Sequence, residues 1–141
     1  MIQGWMPAKS TAAEHPRTVA EPGTVTLVCL VAWLMPGGGH LWLGRRQKGI
    51  VFLLAIPLMF IVGLQLQGTI FPFQFADLLV GLAAVADLGI GLPYLVAKLA
   101  GAGAGNVIAI TYEYGNTYAI VAGLLNMLAV LDAFDIAVGR K

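Results

Sequence analysis

Apolar residues dominate four long stretches of this chain, and clusters of glycine, proline or charged residues separate each stretch from the next. A helix needs about 20 mostly apolar residues to cross a bilayer core about 30 Å thick. The four stretches, with their flanking helical residues, lie at about residues 24–44, 49–67, 76–99 and 117–138. The pattern therefore predicts an all-α integral membrane bundle with three to four transmembrane helices within residues 24–141.

The first stretch is interrupted by a proline and three glycines. Pro36, Gly37, Gly38 and Gly39 disfavour a continuous helix. Backbone that leaves the helical conformation inside a bilayer needs partners from protein or water, because lipid forms no hydrogen bonds. Two topologies are compatible with this turn. One is a complete first crossing, which we favour on the resemblance described below; the other is a re-entrant segment that enters and returns at the glycines.

Two parts of the chain lack helical character. Residues 1–23 are polar, contain three prolines and show no periodicity, so we expect a tail with no regular structure of its own. Residues 106–114 are rich in β-branched and tyrosine side chains, which favours a short extended segment before the last helix. Because a lone strand is unstable, this segment is expected to lie along the surface or to pair with a partner.

Composition supports an exterior that faces lipid. Hydrophobic residues make up 59% of the chain and charged residues only 11%, whereas a soluble domain is about one-quarter charged. The net charge is +1, and no basic stripe with interleaved aromatics points to nucleic acid as a partner. Positive residues divide four against four if every segment crosses, and six against two if the first segment is re-entrant. The positive-inside rule therefore gives no orientation for a complete first crossing, whereas the unequal count is compatible with a re-entrant first segment.

Asp87 is the most informative polar residue, because it lies near the middle of the third stretch. An ionisable side chain at that depth is by default a functional candidate. Asn126 lies at a similar depth in the last stretch, and antiparallel neighbours would bring the two side chains level. Two interpretations stay open: a proton or cation relay, or a hydrogen bond between helices. Ala119 and Gly123 form a small-xxx-small pair, which favours close helix packing.

Three further side chains are candidate ligand contacts. His40 follows the glycine turn, and its imidazole is suited to a chlorophyll magnesium or a haem iron; the simpler interpretation is a hydrogen bond that holds the turn. Asp132 and Asp135 share a helical face and could bind a cation. The nearby Arg140 and Lys141 favour instead a solvated or ion-paired helix end. No His or Glu accompanies the aspartates at metal-ligand spacing, so no metal site is expected.

The glycine turn and the C-terminal stretch carry resemblances to known families. The run MPGGGHLWLGR from Met35 to Arg45, followed by an apolar helix, resembles the two-transmembrane-helix domain family. That family has a basic residue and two aromatics after the histidine, where this chain has only Leu41 and Trp42. The stretches AGLLNML and LDAFDIA with the closing Gly-Arg-Lys are similar to an uncharacterised bacterial family of small membrane proteins. Together the resemblances imply a multi-helix membrane protein and no catalytic residue.

No nucleophile–base pair, metal cluster or cofactor fingerprint stands out in the sequence, so neither an enzyme nor a soluble small-molecule substrate is expected. We expect a non-catalytic accessory or structural subunit of a larger complex in the bacterial cytoplasmic membrane, with lipid and larger membrane subunits as partners. In an energy-converting complex, photosynthetic or respiratory, His40 would be the candidate contact to a (bacterio)chlorophyll. The alternatives are a small oligomeric ion or proton conductor and a freestanding envelope protein.

Overall fold

The computed structural model of the protein describes residues 20–141, and it is all-α in this range. The helices are α1 (Pro22–Leu34), α2 (Gly38–Trp42), α3 (Arg46–Gln65), α4 (Leu78–Gly89), α5 (Leu92–Leu99) and α6 (Tyr112–Ala137). Within the described range, β-pairing is limited to one isolated antiparallel bridge between Thr69 and Ala104. The predicted N-terminal tail lies outside the described residues except for its last four positions.

Two long helices, α3 and α6, run antiparallel along the molecule. With 20 and 26 residues, they are about 30 and 39 Å long at 1.5 Å per residue. Near the start of α3, the Lys48 ammonium donates to Asp132, near the end of α6, at 3.2 Å. Near the end of α3, Gly63 packs against Gly115 at the start of α6. We call the end formed by residues 40–48 and 132–141 the charged end, and the opposite end, formed by residues 66–77 and 99–111, the loop end.

The chain before α3 forms a hairpin that reaches only partway along the bundle. The Ala20 N–H donates to the Ala137 carbonyl at 3.3 Å, so α1 begins at the charged end. The chain turns after Leu34, and His40 on α2 is back at the charged end, 3.0 Å from Asp132. The complete first crossing favoured by the sequence is therefore wrong. α1 has only 13 residues, and the turn after it reverses the chain.

Glycines allow the reversal between α1 and α2. Gly37 has a φ of 81°, a left-handed conformation that glycine adopts without steric cost. A Cβ at Gly37 would lie 2.2 Å from the Gly49 carbonyl oxygen of α3, and a Cβ at Gly39 would lie 2.7 Å from the Ala32 Cβ of α1. The buried Pro36 begins the turn. The turn therefore packs α2 directly against its neighbours, at a distance that larger side chains would prevent.

The chain between α3 and α6 forms a second hairpin, which starts from the loop end. α4 and α5 meet at a bend of 107° next to Gly91, whose φ is 80°. The chain before α4 lies beside the chain after α5, since Thr69 and Ala104 form the isolated bridge. The Asn106 N–H also donates to the Gln67 carbonyl at 3.1 Å. The α4–α5 unit thus enters and leaves at the loop end.

The described residues contain two to three candidate membrane spans, which meets the predicted three to four only at three. Within residues 20–141, two helices, α3 and α6, are individually long and apolar enough to cross a membrane. The number rises to three if α4 and α5 are counted as one bent span. Because the chain enters and leaves the α4–α5 unit at the same end of the molecule, the structure favours two spans. The architecture is thus two long helices and two short hairpins that enter from opposite ends.

The extended segment predicted over residues 106–114 is also wrong. Residues 107–111 form turns, and α6 already begins at Tyr112. The Asn106 side-chain oxygen accepts the Ile108 N–H at 3.1 Å, and the Tyr112 N–H donates to the Ala109 carbonyl at 3.0 Å. Local hydrogen bonds of this kind compete with sheet pairing. Residues that favour strands therefore form turns here.

The buried face of α6 consists of small side chains, and larger core residues such as Phe60 and Ile56 come from α3. The buried residues of α6 are Gly115, Asn116, Ala119, Ala122, Gly123, Asn126, Ala129, Ala133 and Ala137. Small residues let helix backbones approach closely. α6 therefore contacts both hairpins and α3 at short range, and it is the central helix of the fold.

Candidate functional site

The tips of the two hairpins meet near the middle of α6, at the side chain of Asn126. Its Nδ2 group donates to the Trp33 carbonyl of the first hairpin at 3.0 Å and to the Gly89 carbonyl of the second at 2.8 Å. The Ile90 carbonyl is 3.4 Å away. The Trp33 indole N–H donates to the Leu88 carbonyl at 3.1 Å. We call these five residues the tip junction.

The tip junction gathers carbonyl groups because two helices end there. The last carbonyls of an α-helix have no partner within the helix, and the C-terminal ends of α1 and α4 meet in the interior. The Asn126 amide satisfies acceptors from both ends. Its own Oδ1 is buried and has no hydrogen-bond partner among residues 20–141. The hairpin tips are also in tight contact, since a Cβ at Gly91 would lie 1.9 Å from the Trp33 carbonyl oxygen.

Asp87 holds a segment of irregular backbone between α3 and α4. It is fully buried, and its Oδ2 accepts the Phe71 N–H at 2.9 Å. The two preceding N–H groups are also paired. Thr69 donates to Asn116 Oδ1 and Ile70 donates to the Gly103 carbonyl, both at 2.8 Å. Because buried backbone groups are costly when unpaired, these acceptors stabilise the return of the chain from α3 to α4.

The expected hydrogen bond between Asp87 and Asn126 is not formed. Each side chain binds backbone groups instead. The expectation of antiparallel neighbours is also wrong, because α4 and α6 run in the same direction. Gly123 of α6 packs on the Ala86 carbonyl, and Asn126, one turn later, bonds the carbonyl of Gly89. The cause is the second hairpin, since α4 starts from the same end of the bundle as α6.

The predicted packing pair on α6 contacts two different helices. A Cβ on Gly123 would lie 1.8 Å from the Ala86 carbonyl oxygen of α4, whereas Ala119 is fully buried beside Gly63 of α3. The pair therefore lies between α3 and α4 within one chain. Gly63 makes the contact with α3 possible, because a Cβ there would lie 3.0 Å from the Ala119 nitrogen.

The charged end contains a second polar cluster, centred on Asp132. Its carboxylate contacts the His40 Nε2 at 3.0 Å and the Lys48 ammonium at 3.2 Å, and it accepts a short hydrogen bond from Lys141. This bond raises the pKa of Lys141 above its usual range. Asp135 contacts Arg140 at 3.5 Å. Within residues 20–141, no group of three or more His, Cys, Asp or Glu side chains could hold a metal ion.

His40 is enclosed by its own fold. Its side chain is fully buried, Nε2 contacts Asp132, and the ring packs edge-on against Phe52 with centroids 5.0 Å apart. Nδ1 is buried without a partner among the described residues. A macrocycle at either nitrogen would have to displace one of these neighbours. The geometry favours the hydrogen bond that fixes the turn, and pigment ligation stays a prediction.

Two functional contacts were not expected from the sequence. Asn116 lies inside α6 and accepts the Thr69 N–H. Trp33 lies near the end of α1, and its indole N–H donates to the tip of the other hairpin. Two asparagines in a largely apolar helix are the signal that could have indicated interior backbone partners, since buried polar groups are normally paired.

The fold and its two polar clusters define a class: small all-helical proteins with two long apolar helices and two short hairpins that meet at their tips. The chain belongs to the family of unknown function DUF6677, whose model matches residues 27–141. The match covers the first hairpin from Leu27 onwards, the second hairpin, the tip junction and the charged end, and it agrees with the expected membership of an uncharacterised family. Comparison with curated proteins and with solved structures gave no match.

Proposed function

We propose that this protein is embedded in the bacterial cytoplasmic membrane, with α3 and α6 as its full crossings. The supporting observation is that both helices are apolar on faces that the rest of the protein leaves uncovered. In their most apolar 18-residue windows, only 22% of α3 and 33% of α6 are buried. Such extensive apolar exposure is unfavourable in water. A hydrocarbon environment removes that cost.

The charges favour one orientation in this membrane. Five of the six described Lys and Arg residues are at the charged end, namely Arg45, Arg46, Lys48, Arg140 and Lys141. Lys98 is near the loop end. Positive residues close to membrane helices are enriched on the cytoplasmic side. We therefore assign the charged end to the cytoplasm, a choice that becomes possible once both hairpins are re-entrant.

The function that the geometry supports best is that of a non-catalytic accessory subunit in a larger membrane complex. The observation that carries this proposal is an apolar rim at the loop end, formed by Phe73, Phe75, Val107, Ile108 and Ile110. Their exposed fractions are between 49% and 100%. They lie in connecting segments rather than on the helices, so helix crossing does not account for them. A membrane-embedded partner with an apolar surface would cover the rim.

The interior is consistent with such a role. Asn126, Asp87 and Asn116 each accept from or donate to the protein's own backbone. These contacts stabilise two broken helices. A rigid framework of this kind suits a subunit whose task is to present a fixed surface to its neighbours.

Purification in a mild detergent tests the proposal. The tagged wild-type chain should recover a larger partner in constant stoichiometry. A Phe75→Asp, Ile108→Asp double variant should recover less than half as much of that partner, because it places two charges on the rim. The matched control is Leu58→Ala on the outer face of α3, where the side chain is 60% exposed, and it should keep the partner.

The outcomes separate the hypotheses. If the double variant stays in the membrane fraction and still recovers the partner, the rim is not the contact. If the wild-type chain recovers no stoichiometric partner, the accessory role is wrong and a freestanding envelope protein is favoured. For an energy-converting complex, the purified assembly should also carry pigment absorbance. Loss of that absorbance in His40→Ala, with the assembly intact, would support ligation of a (bacterio)chlorophyll.

A second function, ion or proton conduction by an oligomer, is favoured by one observation. Asp87 and Asn126 are both fully buried, and each has one side-chain oxygen without a hydrogen-bond partner among the described residues. Reconstitution into proteoliposomes tests this alternative. Conduction through Asp87 predicts that Asp87→Asn abolishes a cation or proton flux, while retaining an oxygen that can accept the Phe71 N–H. An unchanged flux would remove this role for Asp87.

A further inference from the structure

Two neighbouring arginines stand where the loop after α2 enters α3, and neither has an acidic partner among residues 20–141. Lys48 and Lys141 contact Asp132, and Arg140 contacts Asp135. Arg45 and Arg46 are exposed and contact no acidic side chain within residues 20–141. Their charge is therefore available to a ligand from outside the chain.

These arginines line a surface cavity of about 360 Å³, formed by residues 44–48. Its lining supplies hydrogen-bond donors: two guanidinium groups, the Gln47 amide and the Lys48 ammonium. The backbone N–H groups of residues 46–48, in the first turn of α3, have no acceptor within the described chain. Arginine matches the geometry of phosphate oxygens with paired N–H groups. The cavity is therefore suited to a phosphate group.

The surface beside this cavity is apolar. A second cavity of about 220 Å³ is lined by Gln47, Lys48, Val51 and Phe52, so it shares two residues with the first. It follows α3 away from the charged end, towards the proposed hydrocarbon core. A phosphate site that continues into an apolar groove is complementary to a phospholipid, whose headgroup would lie at the arginines and whose acyl chain would lie along Val51.

We propose that residues 44–52 bind an anionic phospholipid of the cytoplasmic leaflet. The phosphate accepts hydrogen bonds from Arg45 and Arg46, and one acyl chain lies in the groove beside Val51. Exposed Trp42, at the end of α2, is suited to the headgroup level, where tryptophan is enriched. This inference rests on the proposed membrane location and orientation, but not on the accessory role.

Lipid binding to the purified full-length chain in detergent tests the site. The probes are phosphatidylglycerol, phosphatidylcholine and inorganic phosphate, and the readout is native mass spectrometry with the bound lipid counted. Phosphatidylglycerol should bind in preference to phosphatidylcholine. The double variant Arg45→Gln, Arg46→Gln should bind phosphatidylglycerol about 25-fold more weakly, since each basic residue near an anionic surface raises the affinity about fivefold. Rising salt should reduce the difference.

Lys98→Gln is the matched control, because it removes a positive charge at the loop end and should leave binding unchanged. Equal binding of phosphatidylglycerol by the double variant and the wild type would overturn the proposal. Competition by inorganic phosphate at equal concentration would show a site for the free anion and would overturn the lipid assignment. Cell fractionation of the wild type and the double variant separates these outcomes from an error in the proposed membrane location. If that location is wrong, the wild type will appear in the soluble fraction.

Discussion

Asn126 is the residue on which the interior depends most. One amide group donates to carbonyls from two hairpins that enter from opposite ends. Because the side chain is fully buried, bulk water cannot replace these hydrogen bonds. The sequence indicated a polar residue at the correct depth, and it suggested Asp87 as the partner. The partners turned out to be backbone groups, whose positions depend on two chain reversals.

Asn126→Ala should therefore destabilise the protein. At least two buried carbonyls would lose their donor, and each unsatisfied group costs about 1–3 kcal/mol, so we expect a loss of about 2–6 kcal/mol in the free energy of unfolding. Asn126→Asp should be at least as unstable, because it replaces the donor with an acceptor. Unfolding in detergent measures the change, with Leu128→Ala on the exposed face of α6 as the control. Wild-type stability of the Asp variant would mean that the Nδ2 donation is not structural.

At the scale of elements, glycine and alanine determine how closely the helices approach. α6 packs on α4 through Gly123, where a Cβ would lie 1.8 Å from the Ala86 carbonyl oxygen. α3 packs on α6 through Gly63 in a similar way. Backbone groups cannot move aside as flexible side chains can, so these contacts leave no room for a methyl group.

Gly123→Ala should separate α4 from α6 and weaken the tip junction one turn away. Overpacking in a tight core typically costs about 1–3 kcal/mol, and we expect a loss at the upper end of that range. Gly23→Ala is the matched control, since no atom lies within 4 Å of the new Cβ in the first turn of α1. Its effect should stay within about 0.5 kcal/mol. Equal stability of the two variants would contradict the close contact.

The sequence predicted the helical segments and the break in the first stretch, but neither the bend in the third stretch nor the direction of the chain after each break. Pro36 and Gly37 indicated the first break, whereas residues 76–99 were predicted as one segment and bend by 107° next to Gly91. Local preferences identify where a helix ends. Whether the chain continues or returns depends on contacts between distant residues, such as Ala20 with Ala137. The strand expected over residues 106–114 failed for the same reason, because β propensity depends on a neighbouring strand.

On the scale of the whole molecule, two long helices enclose two hairpins that enter from opposite ends and meet at their tips. Their backbone breaks are satisfied by protein groups, as a lipid environment would require. The arrangement places both ends of the first hairpin at the charged end and both ends of the second at the loop end. This topology is the central claim, because the orientation and the lipid site follow from it.

Sided labelling of single cysteines tests this topology most directly. In a chain with Cys29→Ala, cysteines at Glu21, Arg45 and Arg140 should react with a membrane-impermeant maleimide from the cytoplasmic side only. Cysteines at Ala76, Ala100 and Thr111, which are exposed at the loop end and lie outside the apolar rim, should react from the opposite side only, and all six should react after solubilisation. Labelling of positions 21 and 45 from opposite sides, or of positions 76 and 100 from opposite sides, would show that a hairpin crosses the membrane and would contradict the account.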